Sequence, residues 1–434
     1  MKYSYICIVA ISMLLGCKSQ KHDSSHSHDG HEPHNSHEVH FHEDHETKVD
    51  KTKVDENHTD HNHDNHKHRK RAKKAKGHGH DHNHNAEGGH GQGGHGKAGE
   101  QRKHYSSEKH LTNVRQLTFG GDNAEAYWSF DDKHLVFQAK NEAWGVECDQ
   151  IYLFDPYNDP ISESFKPQLL STGKGRTTCS YFMPGDKSII YASTHLGGEE
   201  CPLEPERRAD GKYVWPIYES FDIFTADLEG NLLKQLTDTP GYDAEATLSP
   251  DGSLIVFTSM RSGDLELYTM KPDGSEVKQV TFGLGYDGGA FFSPDGTELI
   301  FRASRPQTAE AQKEYKDLLA EGLVKPTEME LYICNVDGSN LRQITNLGKA
   351  NWAPFFHPSG KKVIFSSNHK SERGFPFTLY MINVDGTGLE QITFDKTFDS
   401  FPMFSYDGKK LIFSSNRNNG GTRDTNLFLA DWVE

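Results

Sequence analysis

The sequence predicts an all-β fold, a six-bladed β-propeller, and three observations carry the prediction. A polar turn followed by a short apolar strand ending in an aromatic recurs six times between residues 129 and 413. Two copies are close matches: Ser249-Pro250-Asp251-Gly252 before Ile255-Val256-Phe257, and Ser293-Pro294-Asp295-Gly296 before Leu299-Ile300-Phe301. The looser copies run from Ser129 to Phe137, Met183 to Tyr191, His357 to Phe365 and Ser405 to Phe413. Such a unit cannot bury a core alone, so the copies must pack on one another, and the shortest interval, 44 residues, suits a four-stranded blade. Finally, six Gln/Leu-Thr strands accompany six blades, but the first precedes blade one. It must therefore complete the last blade, which leaves no open sheet edge.

Within blade three the pattern predicts strands over Tyr242 to Leu248, Leu254 to Ser259, Leu265 to Met270 and Lys278 to Thr281. Alternation and β-branched or aromatic content support each one. The outer strands are expected at Arg115 to Thr118, Gln168 to Thr172, Lys234 to Thr237, Lys278 to Thr281, Arg342 to Thr345 and Glu390 to Thr393. Asp337-Gly338 and Asp385-Gly386 are hairpin signals. Asn426 to Trp432 reads as the third strand of blade six.

Three segments are expected: a signal over residues 1–17, a disordered His-rich tail over 18–110 and the propeller over 111–434. Met1-Lys2 and the apolar run from Tyr5 to Leu15 have the charge and length of a secretory signal, too short to span a membrane comfortably. Its end, Leu14-Leu15-Gly16-Cys17, resembles the bacterial lipobox, which implies cleavage before Cys17 and lipidation of that residue. The resemblance implies a cell-envelope protein, lipid-anchored to the outer membrane. An oxidising envelope permits a disulfide among Cys148, Cys179 and Cys201, with the pairing open, while Cys334 reads as a buried thiol.

The tail has no apolar periodicity and cannot bury enough surface to offset its ordering entropy. Residues 1–110 hold 22 of the 26 histidines, with 17 Lys and Arg against 16 Asp and Glu. His61, His63, His66, His68, His78, His80, His82 and His84 offer neutral imidazoles near carboxylates, a chemistry suited to Zn, Ni or Cu. Metal buffering and a solvated spacer are the two readings of these runs. No cofactor is expected in the propeller. Residues 111–434 carry 30 Lys and Arg against 47 Asp and Glu, a surface that repels phosphate backbones and argues against nucleic acid as a partner.

The Gln-Leu-Thr, Ser-Pro-Asp-Gly and Leu-Tyr-Met phrases over 111–434 resemble the WD40-like repeats of the TolB β-propeller family. That likeness implies a propeller with envelope partners. Related propellers precede the hydrolase domain of prolyl-oligopeptidase-like peptidases, but no Gly-x-Ser-x-Gly nucleophile motif is present here. Oligogalacturonate lyases are similar propellers that hold a metal with clustered histidines. His195 and His369 belong to blades two and five, far apart around a ring, and His357 sits in a tight turn on the other face.

Strand order puts the tight Ser-Pro-Asp-Gly turns on one plain face and the long loops on the other. The long segments are Asn141 to Gln150, His195 to Ser220, Arg305 to Met329 and His369 to Thr378, and Thr308 to Glu321 reads as a short capping helix. Asn123, Thr177, Asp243, Asp287, Asn351 and Asp399 begin the inner strands at that loop-rich face, with Glu125 and Glu245 two places on. His195, Arg261, Arg305, His369 and Arg417 follow the second strands. Two readings apply: a polar mouth that binds a ligand, or Asp and Asn caps with Arg ties between neighbouring blades. Blade two alone carries an aromatic insertion with Trp215, and blade four alone has Gly288-Gly289, which allows close backbone approach. The expected function is binding of an envelope protein, peptide or glycan on this face, with a metal-dependent lyase-like or peptidase-associated propeller as the alternative.

Overall fold

The computed structural model describes residues 103–434 except Arg207 and Arg373. Cys17 and the eight histidines from His61 to His84 lie outside the described residues. Among the described residues are six four-stranded antiparallel sheets and one two-stranded sheet. The inner strands are Asp122–Trp128, Thr177–Phe182, Asp243–Leu248, Asp287–Phe292, Asn351–Phe356 and Asp399–Phe404. In the last sheet Leu111–Gln116 pairs with Asn426–Trp432, so the expected closure by the N-terminal strand is what joins the ring.

The outer strands end two residues earlier than the sequence pattern suggests in blades two to six. They are as short as Lys278–Gln279, Arg342–Gln343 and Glu390–Gln391. The hydroxyl of the following Thr replaces a ladder bond: the N–H groups of Ile223, Leu267, Leu331, Leu379 and Leu427 donate to Thr237, Thr281, Thr345, Thr393 and Thr118 at 2.8–2.9 Å. Ser171 does the same for Ile151. Gln two places earlier donates to that Thr carbonyl, as Gln279 does to Thr281 at 2.8 Å. The recurring Gln-x-Thr phrase is thus a side-chain device for ending an edge strand.

The plain face joins blades through its turns. In blade three Ser249 Oγ donates to Asp251 and accepts from Leu254 N–H, and Gly252 takes φ +67°, where a side chain would overlap Pro184 of blade two. Gly296, Gly360 and Gly408 face Pro250, Pro294 and Pro358 at the next three junctions more loosely, where an added Cβ would stand 3.5–3.9 Å away in ordinary contact. At the two remaining junctions Asp replaces the packing. Asp132 accepts from the N–H groups of Tyr406 and Asp407, and Asp186 from those of Phe130 and Asp131. Between blades the core is aliphatic and aromatic, with Trp128, Tyr152, Tyr191, Phe257 and Phe301 fully buried. Cys334 is buried in the strand Met329–Asn335, as expected.

Candidate functional site

Every inner strand carries a β-bulge near its start, and the bulged residue has a positive φ of 47–60°. The six are Glu125, Cys179, Glu245, Gly289, Ala353 and Phe401. An extra residue at this point re-aims its side chain. All six line one cavity of about 40 Å3 on the propeller axis, room for one to three ordered waters. Below it the channel is closed by Tyr127, Tyr181, Phe291 and Phe355, whose rings stand 5.2–6.5 Å apart.

The two carboxyls of this ring differ in state. Glu245 accepts from Thr258 Oγ1 at 2.7 Å, Gly289 N–H at 2.8 Å and Tyr286 O–H at 2.9 Å, and pairs with Arg302. Burial alone would raise its pKa, but the Arg302 guanidinium and these donors hold it below the usual carboxylate range. Gly288 and Gly289 leave the space this network occupies, since a Cβ on either would overlap Glu245, Tyr286 or Arg302. Their close backbone approach is therefore to a neighbouring blade. Glu125 has Tyr127 O–H at 3.3 Å, and burial pushes its pKa up to about 7. Cys179 is raised well above the ordinary thiol value by burial and then by Glu125. Ser180 Oγ lines the same cavity without a hydrogen-bond partner among the described residues.

The loop-rich end is roofed. Trp215–Pro216 of the blade-two insertion pairs with Leu323–Val324, which follows the helix α1 (Ala309–Ala320) in the blade-four insertion. Thr308 caps α1 by accepting from Ala311 N–H, and Tyr315 and Leu318 are its buried face. Trp215 is half-buried, with Arg302 over its ring at 5.5 Å and Trp352 at 5.3 Å. A disulfide between Cys148 and Cys201 ties the blade-one loop to the same insertion, leaving Cys179 as a free thiol, and Arg176 pairs with Glu204 beside it.

Asp243, Asp287, Asn351 and Asp399 are buried, and each acid is paired with the Arg that follows the next strand. Arg261 binds Asp243 at 2.8 Å, Arg305 binds Asp287, and Arg417 binds Asp399 at 2.8 Å. These ties lie within a blade, where the sequence reading expected ties between neighbouring blades. The first and second strands run antiparallel, so the start of one and the residue past the other meet at the same edge. Burial nonetheless raises the pKa of all three acids. Asn351 Oδ1 accepts from Ser367 Oγ at 2.7 Å. His195 and His369 each bond their own blade's Ser193 and Ser367 through Nδ1 at 2.9 Å, and burial lowers the pKa of both. The mouth expected from the sequence is thus an apolar roof underlain by intra-blade ion pairs. Among the described residues no three His, Cys, Asp or Glu side chains stand together as a metal-binding group.

Arg302 and Tyr286 were not singled out by sequence reasoning, and Cys179 was named only as a disulfide candidate. Cys179 occupies the blade-two place of Glu125 and Glu245, so alignment of the repeats was the available signal; nothing local marks Arg302, which acts across two blades. Solved structures with related folds include TolB from Acinetobacter baumannii, 18% identical over 70% of this chain and 65% of that one, with a TM-score of 0.45. A protein assigned as TolB from Agrobacterium tumefaciens is 19% identical over 72% and 91%, with a TM-score of 0.44. An oligogalacturonate lyase from Vibrio parahaemolyticus is 13% identical over 73% and 93%, with a TM-score of 0.41. Residues 217–323, from the end of the blade-two insertion through the blade-four insertion, match the family model described as the TolB beta propeller domain. The chain carries a TolB-like β-propeller.

Proposed function

We propose that the propeller binds a protein partner in the cell envelope through the outer surface of its roof, with Cys17 as the lipid anchor. One observation carries this reading: the roof exposes isolated large apolar side chains. Leu203 is 91% exposed, Phe282 76% and Leu196 60%. Leu196 and Leu203 belong to the insertion that only blade two has, which also packs Tyr213, Trp215 and Tyr218 against the buried aromatic cluster. The axial cavity is too small for a peptide or sugar, so a ligand of that size meets the outside of the roof. His195, Arg305, His369 and Arg417 then serve mainly as blade locks beneath the contact surface, while Arg261 locks its blade and stays partly open to solvent. Partner capture from envelope extracts by the full chain should disappear in the double variant L196D/L203D while its melting curve stays unchanged. Undiminished capture by that folded variant would end the proposal.

The histidine runs support a second, separable role, the buffering of Zn, Ni or Cu ions by the tail. Several ions per chain should be lost when His61 to His84 are replaced by Ser, with partner capture unaffected; equal metal content in both chains would remove this role.

A further inference from the structure

Blade six contains an ion-pair site that is filled by the chain itself, and blade three contains the same site open. Arg417 Nε donates to Ser415 Oγ at 3.1 Å, Nη2 donates to Asp399 at 2.8 Å, and its guanidinium stands 5.0 Å from the Phe413 ring. Arg261 repeats each contact: Nε to Ser259 Oγ at 2.8 Å, Nη2 to Asp243 at 2.8 Å, and the Phe257 ring at 5.1 Å. Arg417 also holds a second carboxylate. Glu108, from the segment ahead of the first strand, accepts from Nη2 at 2.9 Å, from Nη1 at 3.2 Å and from Phe394 N–H at 3.2 Å. Tyr105 of the same segment lies 5.6 Å over the guanidinium. Arg417 is fully buried as a result, whereas the Arg261 side chain is 17% exposed and its Nη1 has no hydrogen bond among the described residues.

We propose that Arg261 is a carboxylate-binding site for a partner protein, taking a Glu side chain as Arg417 takes Glu108. The inference rests on the reading that the roofed face binds a protein, and it names the chemistry of the bound segment. A guanidinium already paired with one Asp accepts a second carboxylate in this fold, because its fork presents separate N–H groups to each. The surroundings narrow the partner further. Blade two, next to this site, has Asp238 in the place of Phe394 and Asp222 in that of Thr378, and Asp222 feels the charges of Asp243 and Asp238. A carboxylate flanked by cations suits that field, and the chain's own insert is of this kind: Lys103-His104-Tyr105-Ser106-Ser107-Glu108-Lys109-His110. The expected partner segment has an aromatic three residues before a Glu with Lys, Arg or His alongside.

The test uses the full chain and a capped, labelled peptide of residues 103–110. Saturable binding is expected, weakened about tenfold or more by R261K in the protein, since Lys lacks the planar fork that spans Ser259, Asp243 and an incoming carboxylate at once. The peptide with Glu108→Gln should lose binding to the unaltered protein by a similar factor, which removes any question of folding. Absence of saturable binding, or binding that survives both changes, overturns the proposal; survival would place the peptide at blade six in exchange for the resident segment. If partner capture depends on Leu196 and Leu203 while peptide binding ignores Arg261, this inference fails and the roof reading stands.

Discussion

At the plain face each junction between blades reuses one small contact, a turn residue against its neighbour, whereas the opposite face repeats only a backbone bond, from Asn123, Thr177, Asp243, Asp287 and Asp399 N–H to the preceding blade, and adds ties that differ from junction to junction. Four plain-face junctions are Gly on Pro and two are Asp on backbone N–H. The other end uses a two-stranded sheet between blades two and four, a disulfide between blades one and two, and Glu108 on blade six. The difference teaches where this ring can vary. Close packing on one side fixes blade geometry, and insertions on the other side can then build a roof without disturbing it.

Five changes would break or sharpen the contrast. Arg417→Ala leaves Glu108 and Asp399 buried without a cation and should cost about 3–5 kcal/mol in urea denaturation. Arg261→Ala, at a site partly open to water, should cost clearly less, and equal losses would show that the two sites are not distinct. Reducing the Cys148–Cys201 bond, which spans 53 residues, should cost about 2–4 kcal/mol and loosen the roof before the plain face in hydrogen exchange.

The channel carboxyl gives a pH signature. Glu125 has an ordinary value of 4.5 and a folded value of about 7, so the native state binds the extra proton between those limits. Its contribution therefore makes stability fall as pH rises from 4.5 through 7, by up to about 3 kcal/mol, and stay level beyond. Glu125→Gln should match the native protein near pH 4.5 and exceed it by about 2–3 kcal/mol at pH 8. No pH dependence of that difference would mean the channel is wetter than the structure shows. The smallest effect belongs to the plain face. Gly252→Ala, which adds a side chain at φ +67° against Pro184, should cost about 1–2 kcal/mol in thermal melts without altering partner capture.

Much of the ring could be read in the chain before any coordinates. The period of the Ser-Pro-Asp-Gly phrase, the surplus outer strand before blade one and the Thr308–Glu321 helix all follow from local patterns of turn, alternation and cap. The sites were less legible. Glu125 and Glu245 stood out as acids at matching places, but only the bulge explains why they face the axis, and nothing local tells that one is paired with Arg302 while burial pushes the pKa of the other up to about 7. The Asp–Arg pairs were visible as residue types, yet their partners within a blade depend on strand register.

The sequence by itself determined a closed six-bladed propeller and its plain and elaborated faces, because repeats and turns are encoded within a few residues of one another. The tertiary structure alone decided that the mouth is roofed, that Cys148 bonds Cys201, and that Glu108 fills one copy of a site that stays open at Arg261. Those outcomes join residues from 53 to 309 positions apart, and their energies depend on burial and on which partner arrives, quantities that no local pattern records.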